Sequence, residues 1–151
     1  MLDDLDRRIL RHWQAEPSLN PAELAERCAT SSGKVARRIA RMQETGVIEG
    51  IGAVIDWTAL GYSVEVSLRV TLDKTQPRAF DDFIAAARAV PEVTEIQTFL
   101  GRVDVRLNII ARDMAHYQDI YRKRVLTLPH ISDIEALMQI AQIKAEVALP
   151  I

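Results

Sequence analysis

The spacing of apolar residues changes part-way along the chain, and this change limits the possible folds more than any other feature. Up to Gly46, apolar side chains recur at helical spacing, which is typical of amphipathic helices. From Tyr62 they alternate with polar residues, which is typical of strands with one buried face. The sequence therefore predicts an α+β protein with a helical module at 1–46, a hinge or linker strand at 47–61 and a mixed module at 62–151.

The length and composition are sufficient for both modules to be globular. The chain has 151 residues, of which 48% are apolar, so it can bury a core. The net charge of −2 hides a difference between the modules: residues 1–46 carry eight basic and seven acidic side chains, and the remainder carries eleven and fourteen. No apolar run approaches about eighteen residues, so no membrane span is predicted.

Three short helices are predicted in the first module. The first ends before Pro17, because the residue that precedes a proline disfavours helical geometry. Asn20 is an N-cap residue for the second helix, and Glu23 stands where a capping box requires it. Gly46 supplies the C-terminal stop of the third helix. With only a tight turn between the second and third helices, the module is a winged-helix-like helix-turn-helix unit.

The third helix has an apolar stripe and a basic face on opposite sides. Val35, Ile39 and Met42 form the stripe, and Lys and Arg side chains cluster roughly opposite to it. The residues predicted to contact double-stranded DNA are Ser31, Ser32, Gly33, Lys34, Arg37, Arg38 and Arg41. Either serine can cap the helix, and the cations suit phosphates and guanine edges in the major groove. The alternative is a basic face that only meets solvent, but its place as the last helix of a helix-turn-helix unit favours DNA.

The second module has the element order βαββαβ, which is that of a ferredoxin-like domain. Its strands are predicted at 64–72, 93–100, 103–111 and 131–140. The first helix stops at Pro91, and Asp113 caps the second. Residues 143–149 alternate once more.

One face of this sheet is predicted to lie against the two helices, which leaves the other face polar. The polar residues are Glu65, Ser67, Arg69, Arg106 and Asn108. They either meet solvent or pair with the sheet of a second copy. A homodimer is favoured, since a short three-helix reader needs a two-fold partner for affinity.

Several segments, in order along almost the whole chain, carry a resemblance to a known family. They are LDDLDRRIL at the start, LAERCATSSGKVARRIARMQETGVIEG through the third helix, LG at 60–61, PEV at 91–93, GRVD at 101–104 and QIKAEVALPI at the end. Together they resemble the Lrp/AsnC family, the feast/famine transcriptional regulators of bacteria and archaea. The resemblance implies an N-terminal DNA-binding domain, a C-terminal ferredoxin-like domain for effector binding and assembly, and homodimers that often associate into octamers.

The resemblance also implies a small-molecule effector, usually an amino acid or related metabolite, in a cleft between dimers. The residues predicted to bind it are Leu100, Gly101, Arg102, Asp104 and Glu135. The charges of Arg102, Asp104 and Glu135 suit the two ends of a zwitterion. The alternative is that Gly101 and Asp104 only build a hairpin turn.

Two departures from the family pattern concern the effector. Val105 stands where the family often has an aromatic residue, and residues 135–137 lack the Thr or Ser that is common in its last strand. A DNA-architectural protein without an effector is therefore the alternative to a regulator. An enzyme of the same architecture that decarboxylates sirohaem is disfavoured, because residues 103–111 contain no histidine.

No catalytic motif, metal site or cofactor is predicted. His12, His116, His130 and Cys28 show no metal-ligand spacing. The single cysteine cannot form an intramolecular disulfide, which fits a reducing compartment. The sequence therefore predicts a regulator associated with the nucleoid in the cytoplasm.

Overall fold

The computed structural model of the protein describes residues 1–145 and 148–151. It divides into two compact units. The first comprises Met1–Val54 together with the described residues of Ile143–Ile151, and the second comprises Ile55–Gln142.

The first unit contains three helices, as predicted. They are α1 (Asp4–Ala15), α2 (Pro21–Arg27) and α3 (Ser32–Glu44). Asn20 and Glu23 form the predicted capping box at the start of α2, and Gly46 has a positive φ of 75° just after α3. The predicted helix ends are therefore confirmed.

The three helices pack around a small apolar core. Ile9 of α1, Leu24 of α2 and Val35 of α3 are fully buried in it, together with Cys28. The apolar stripe predicted for α3 thus faces the other helices, which turns the opposite side of α3 outward.

The turn between α2 and α3 depends on an alanine in an unusual backbone conformation. Ala29 has a φ of 50°, which is rare for a residue with a side chain. The next amide, the N–H of Thr30, donates to the carbonyl of Ala25 at 2.9 Å and closes the end of α2. This bond keeps the turn between α2 and α3 short.

Residues 47–61 contain no strand, so the linker strand predicted there is wrong for the single chain. Trp57–Leu60 form a 3-10 helix instead, because the carboxylate of Asp56 accepts from the backbone and hydroxyl of Thr58. The preceding residues 49–56 are exposed and have no strand beside them to complete a ladder.

The second unit is a four-stranded antiparallel sheet with helices that connect strands along the chain. Its elements are β1 (Val64–Leu72), α4 (Ala79–Arg88), β2 (Val93–Thr98), β3 (Val105–Ala111), α5 (Met114–Ile120) and β4 (Ile131–Met138). A π-helical turn over Tyr121–Val125 continues α5. The strand order is β2-β3-β1-β4, which confirms the predicted ferredoxin-like arrangement.

One face of the sheet forms the core of this unit. Val66, Leu68 and Val70 of β1 are fully buried and alternate with polar residues, as their spacing predicts. Phe83 of α4 and Tyr117 of α5 pack in the same cluster. The two helices therefore lie on one face, and the opposite face carries the polar residues predicted for it.

The end of the chain differs from the predicted module boundaries, because it joins the first unit and not the second. The side-chain amide of Gln14 in α1 donates to the carbonyl of Leu149 at 2.6 Å and accepts from its N–H at 2.8 Å. The guanidinium of Arg11 donates to the carbonyl of Ile151 at 2.7 Å. The alternation predicted at 143–149 includes residues 146–147, which lie outside the described residues, and the described remainder forms no strand.

Candidate functional site

The N-terminus of α3 is open to a partner. Ser31 is the N-cap residue, and its hydroxyl accepts from the backbone N–H of Lys34 at 3.4 Å; Ser32 is the first helical residue. Gly33 is exposed, and a Cβ added there would meet no atom within 4 Å. Packing inside the chain therefore does not require glycine at this position, while close approach of an outside surface would benefit from it.

Two of the four predicted cations on α3 are free. Lys34 and Arg37 are exposed, and neither side chain has a hydrogen bond or ion pair with any described residue. They lie on the first two turns of the helix, on the side that faces away from the core. Long cationic side chains in this position are available for phosphates or base edges.

The other two cations are bound within the chain. Arg38 pairs with Asp3 and, through Nη1, with Asp6 Oδ1 at 3.1 Å, while Arg41 Nη2 lies 2.6 Å from Asp6 Oδ2. Asp6 is completely buried, and its Oδ2 also accepts from the backbone N–H of Asp3 at 3.0 Å. A buried carboxylate requires such charge-assisted bonds. Arg38 and Arg41 therefore fasten α3 to the N-terminus of α1.

The electrostatics of this cluster agree with its geometry. The pKa of Asp3 is lowered to about 2 by hydrogen bonds from the Asp6 amide and then from the Arg38 guanidinium. The same bond to Asp3, followed by the bond to Asp6, raises the pKa of Arg38. Asp3 and Arg38 thus each favour the ionised form of the other.

The loop predicted to bind an effector lies between β2 and β3 in the second unit. Leu100 and Arg102 are exposed, and Gly101 has a φ of 153°, a value that favours glycine. The carbonyl of Arg102 accepts from the hydroxyl of Thr71 at 2.8 Å, which holds the loop to the end of β1.

Asp104 is an internal structural residue of this loop. Its side chain is 3% exposed; Oδ2 accepts from the N–H of Leu72 at 2.8 Å, and Oδ1 pairs with Lys74 Nζ at 3.1 Å. This geometry favours the hairpin-turn alternative for Asp104, since both oxygens are engaged within the chain and the side chain is almost fully buried.

Glu135 lies on the polar face of the sheet, opposite a different position of β1 from the residues that contact the loop. In the ladder it stands opposite Arg69, whereas the loop attaches at Thr71 and Leu72. Arg102 thus belongs to the loop between β2 and β3, whereas Glu135 lies on β4 opposite Arg69. Sequence patterns could not identify Lys74 as the partner of Asp104, because no periodic pattern connects a turn residue to a loop thirty positions later.

Two further features of the described part of the chain bear on function. No group of three or more His, Cys, Asp or Glu side chains is placed there to hold a metal ion. No helix there is long and apolar enough to cross a membrane.

Comparison with known proteins matches both units to described families. Residues 2–49 match a winged helix-turn-helix DNA-binding domain, and residues 65–149 match the Lrp/AsnC ligand binding domain. The chain belongs to the Lrp/AsnC family. Its fold is that of other Lrp/AsnC proteins, and it is a DNA-binding transcriptional regulator with a ligand-binding domain.

Individual Lrp/AsnC relatives resemble the chain over nearly its full length. The proline dehydrogenase transcriptional activator of Rhodobacter capsulatus is 34% identical over 132 residues, which is 87% of this chain and 86% of that one. The HTH-type transcriptional regulator Zrp of Zymomonas mobilis is 32% identical over 99% of this chain and 97% of its own. The transcriptional regulator NMB0573 of Neisseria meningitidis, solved in complex with L-Met, has a TM-score of 0.90 at 25% identity and covers 99% and 97% of the two chains.

All three relatives are transcriptional regulators or activators by name. The matched domains imply two kinds of partner, DNA for the first unit and a small molecule for the second.

Proposed function

We propose that the protein is a homo-oligomeric regulator that reads DNA mainly through Lys34 and Arg37 and responds to an amino acid or related metabolite. The observation that carries this proposal is the pair of exposed, unpartnered cations at the start of α3, within a matched helix-turn-helix domain. Ser31, Ser32 and Gly33 add hydroxyls and a close backbone approach at the same helix end.

Arg38 and Arg41 act as positioning residues in this account. Their bonds to Asp6 hold the middle of α3 against α1, so that Lys34 and Arg37 project outward. A helix that enters the major groove must be held at a defined angle, since base contacts depend on geometry.

We place the homo-oligomer contact on the polar face of the sheet. A dimer would present two copies of α3 to half-sites separated by about 34 Å or a multiple of it. The charged residues on this face include both signs; β1, for example, carries Glu65 and Arg69. Two copies can therefore pair opposite charges across the contact. Such a regulator acts at DNA in the cytoplasm.

The effector is assigned to the second unit, whose matched family is a ligand-binding domain. The L-Met complex of the Neisseria relative supports an amino acid as the class. Leu100, Gly101 and Arg102 are the exposed part of the loop, and the contribution of Asp104 is to fix the loop to β1.

The experiment that tests this function measures DNA affinity with and without each amino acid. A DNA site is first selected from a random pool with the full chain, and affinity is then followed by fluorescence anisotropy. We expect at least one amino acid or close derivative to change the affinity by about fivefold or more. If DNA binds and no such compound changes the affinity or the assembly state, the effector-independent architectural alternative replaces this proposal.

A further inference from the structure

Arg37 lies at the centre of the outward side of α3. The core side of this helix carries Val35 and Met42, which are buried, and Ile39, which packs against the same core. At about 100° per residue, the direction opposite this stripe falls close to Arg37. The Arg37 side chain is exposed and has no hydrogen bond or ion pair with any described residue. When α3 lies in a major groove, Arg37 is therefore the cation that points most directly at the base pairs.

The residues around Arg37 on this side of α3 are small. Gly33 lies one turn before it, Ala40 lies one turn after it, and Ala36 is next to it; all three are exposed. Their short side chains let the helix approach a groove closely, and none of them carries a hydrogen-bonding group. Among these four positions, only Arg37 can donate hydrogen bonds to a base edge through its side chain.

Lys34 lies on a flank of α3 and not at this centre. It is about 60° round the helix from Arg37, on the flank that also carries Arg38 and Arg41. Those two arginines are bound to Asp6, whereas the Lys34 side chain is exposed and unpaired among the described residues. A cation on the flank of a helix in the groove lies closer to the backbone phosphates than to the bases. Lys34 therefore suits a phosphate contact, which carries no sequence information.

The C-terminal end of the outward side is acidic. Glu44 is exposed seven residues after Arg37, which places it on nearly the same line along the helix, about 10 Å further on. A carboxylate there repels the phosphates of a DNA strand. Close contacts are therefore expected on the first turns of α3, where helix-turn-helix domains usually contact base edges.

We propose that Arg37 is the residue that reads sequence, through a bidentate pair with O6 and N7 of a guanine, and that Lys34 adds affinity without base preference. The arginine fork matches these two acceptors, and no other base presents two acceptors in the major groove. Each half-site then contains one G·C pair that tight binding requires. The inference rests on the proposed function, because it names the base that the DNA-reading helix recognises.

The first test asks whether such a base pair exists. DNA sites are selected from a random pool with the full chain, and each base pair of a selected site is then replaced in turn while affinity is followed by fluorescence anisotropy. We expect the selected half-sites to share one G·C pair, whose replacement weakens wild-type binding by about tenfold. Selected sites without a shared G·C pair would overturn the inference.

The matched variants R37A and K34A assign the base pair to a residue. Each removes one exposed cation, so each is expected to keep the wild-type melting temperature and to make the salt slope shallower by about 0.9 per half-site. Base preference separates them. In R37A the replaced G·C pair should cost less than about twofold, whereas K34A should keep the cost of about tenfold while it binds every site more weakly. Preference that survives in R37A, or that is lost in K34A, would contradict the assignment.

A modified base tests direct contact. 7-Deazaguanine keeps O6 and Watson–Crick pairing but has a C–H group in place of the N7 acceptor. At the required position it is expected to weaken wild-type binding by about fivefold, and to change the binding of R37A by less than about twofold. Equal losses in both proteins would show that Arg37 does not contact N7, and would overturn the inference. R37Q is a second variant, and it is expected to lose the preference for G·C and to favour A·T at the same position.

These tests fail in a different way from that of the proposed function. A wild type that selects no DNA would contradict the function and the inference together. A wild type that binds its selected site, and whose preference for G·C persists in R37A and R37Q, would contradict the inference alone and leave the function standing.

Discussion

The four cations of α3 form two pairs that look alike in the sequence but have different contacts in the structure. Lys34 and Arg37 extend into solvent, while Arg38 and Arg41 are bound to acidic residues at the start of α1. The difference arises from a single buried residue, Asp6, which lies where the second pair can reach it. One helix therefore combines a free pair of cations with a pair that is bound within the chain, and charge alone does not show which residue belongs to which pair.

The largest expected difference between the bound pair and the free pair of cations is in the stability of the fold. Asp6→Ala is expected to lower the free energy of unfolding by about 3 kcal/mol, since it removes a buried carboxylate with several charge-assisted bonds. Urea denaturation of the variant and the wild type gives this value. The matched control, Lys34→Ala with Arg37→Ala, is expected to stay within about 0.5 kcal/mol of wild type. Equal losses in both variants would show that the two pairs do not differ.

A smaller effect, the contribution of Asp3 to the stability of the fold, depends on pH. Because the pKa of Asp3 is about 2 in the folded chain, below its ordinary value of 3.8, the ionised carboxylate stabilises the fold. This stabilisation is fully present above pH 4 and is lost as the pH falls toward about 2. Asp3→Asn keeps a capping oxygen but loses the charge.

The Asp3→Asn prediction is checked by thermal unfolding at several pH values. The wild type is expected to be the more stable protein at neutral pH, and the difference should shrink as the pH falls from about 4 toward 2. A difference that is constant over this range would mean that the Arg38 contact does not depend on the charge of Asp3.

The smallest expected effect is a gain in stability that leaves DNA affinity unchanged. Ala29→Gly removes the side chain at a φ of 50° and is expected to raise the free energy of unfolding by about 0.5 kcal/mol. DNA affinity should stay at the wild-type value, because α3 keeps its anchor. A change in affinity that follows this gain in stability would show that the turn, and not the Asp6 cluster, sets the angle of α3.

Local patterns predicted most of the fold, because helix caps and strand alternation are encoded by neighbouring residues. Asn20, Gly46 and the alternation of β1 each act where the sequence places them. The linker strand failed because a strand needs a partner, and partners are not a local property. The candidate sites show the same limit: a helical wheel displays one helix, so it could not reveal that Asp6 binds Arg41 from thirty-five positions away.

The measurement that tests the central claim most directly is the salt dependence of DNA affinity in two double variants. With Lys34→Ala and Arg37→Ala we expect DNA affinity to fall at least about tenfold. The slope of log K against log salt should become shallower by about 1.8 per half-site, since two phosphate contacts are lost. With Arg38→Gln and Arg41→Gln, measured well below the melting temperature, the slope should stay near the wild-type value while the melting temperature falls. A slope that is unchanged in the first variant, or equally reduced in the second, would contradict the division of α3 into a contact pair and an anchor pair.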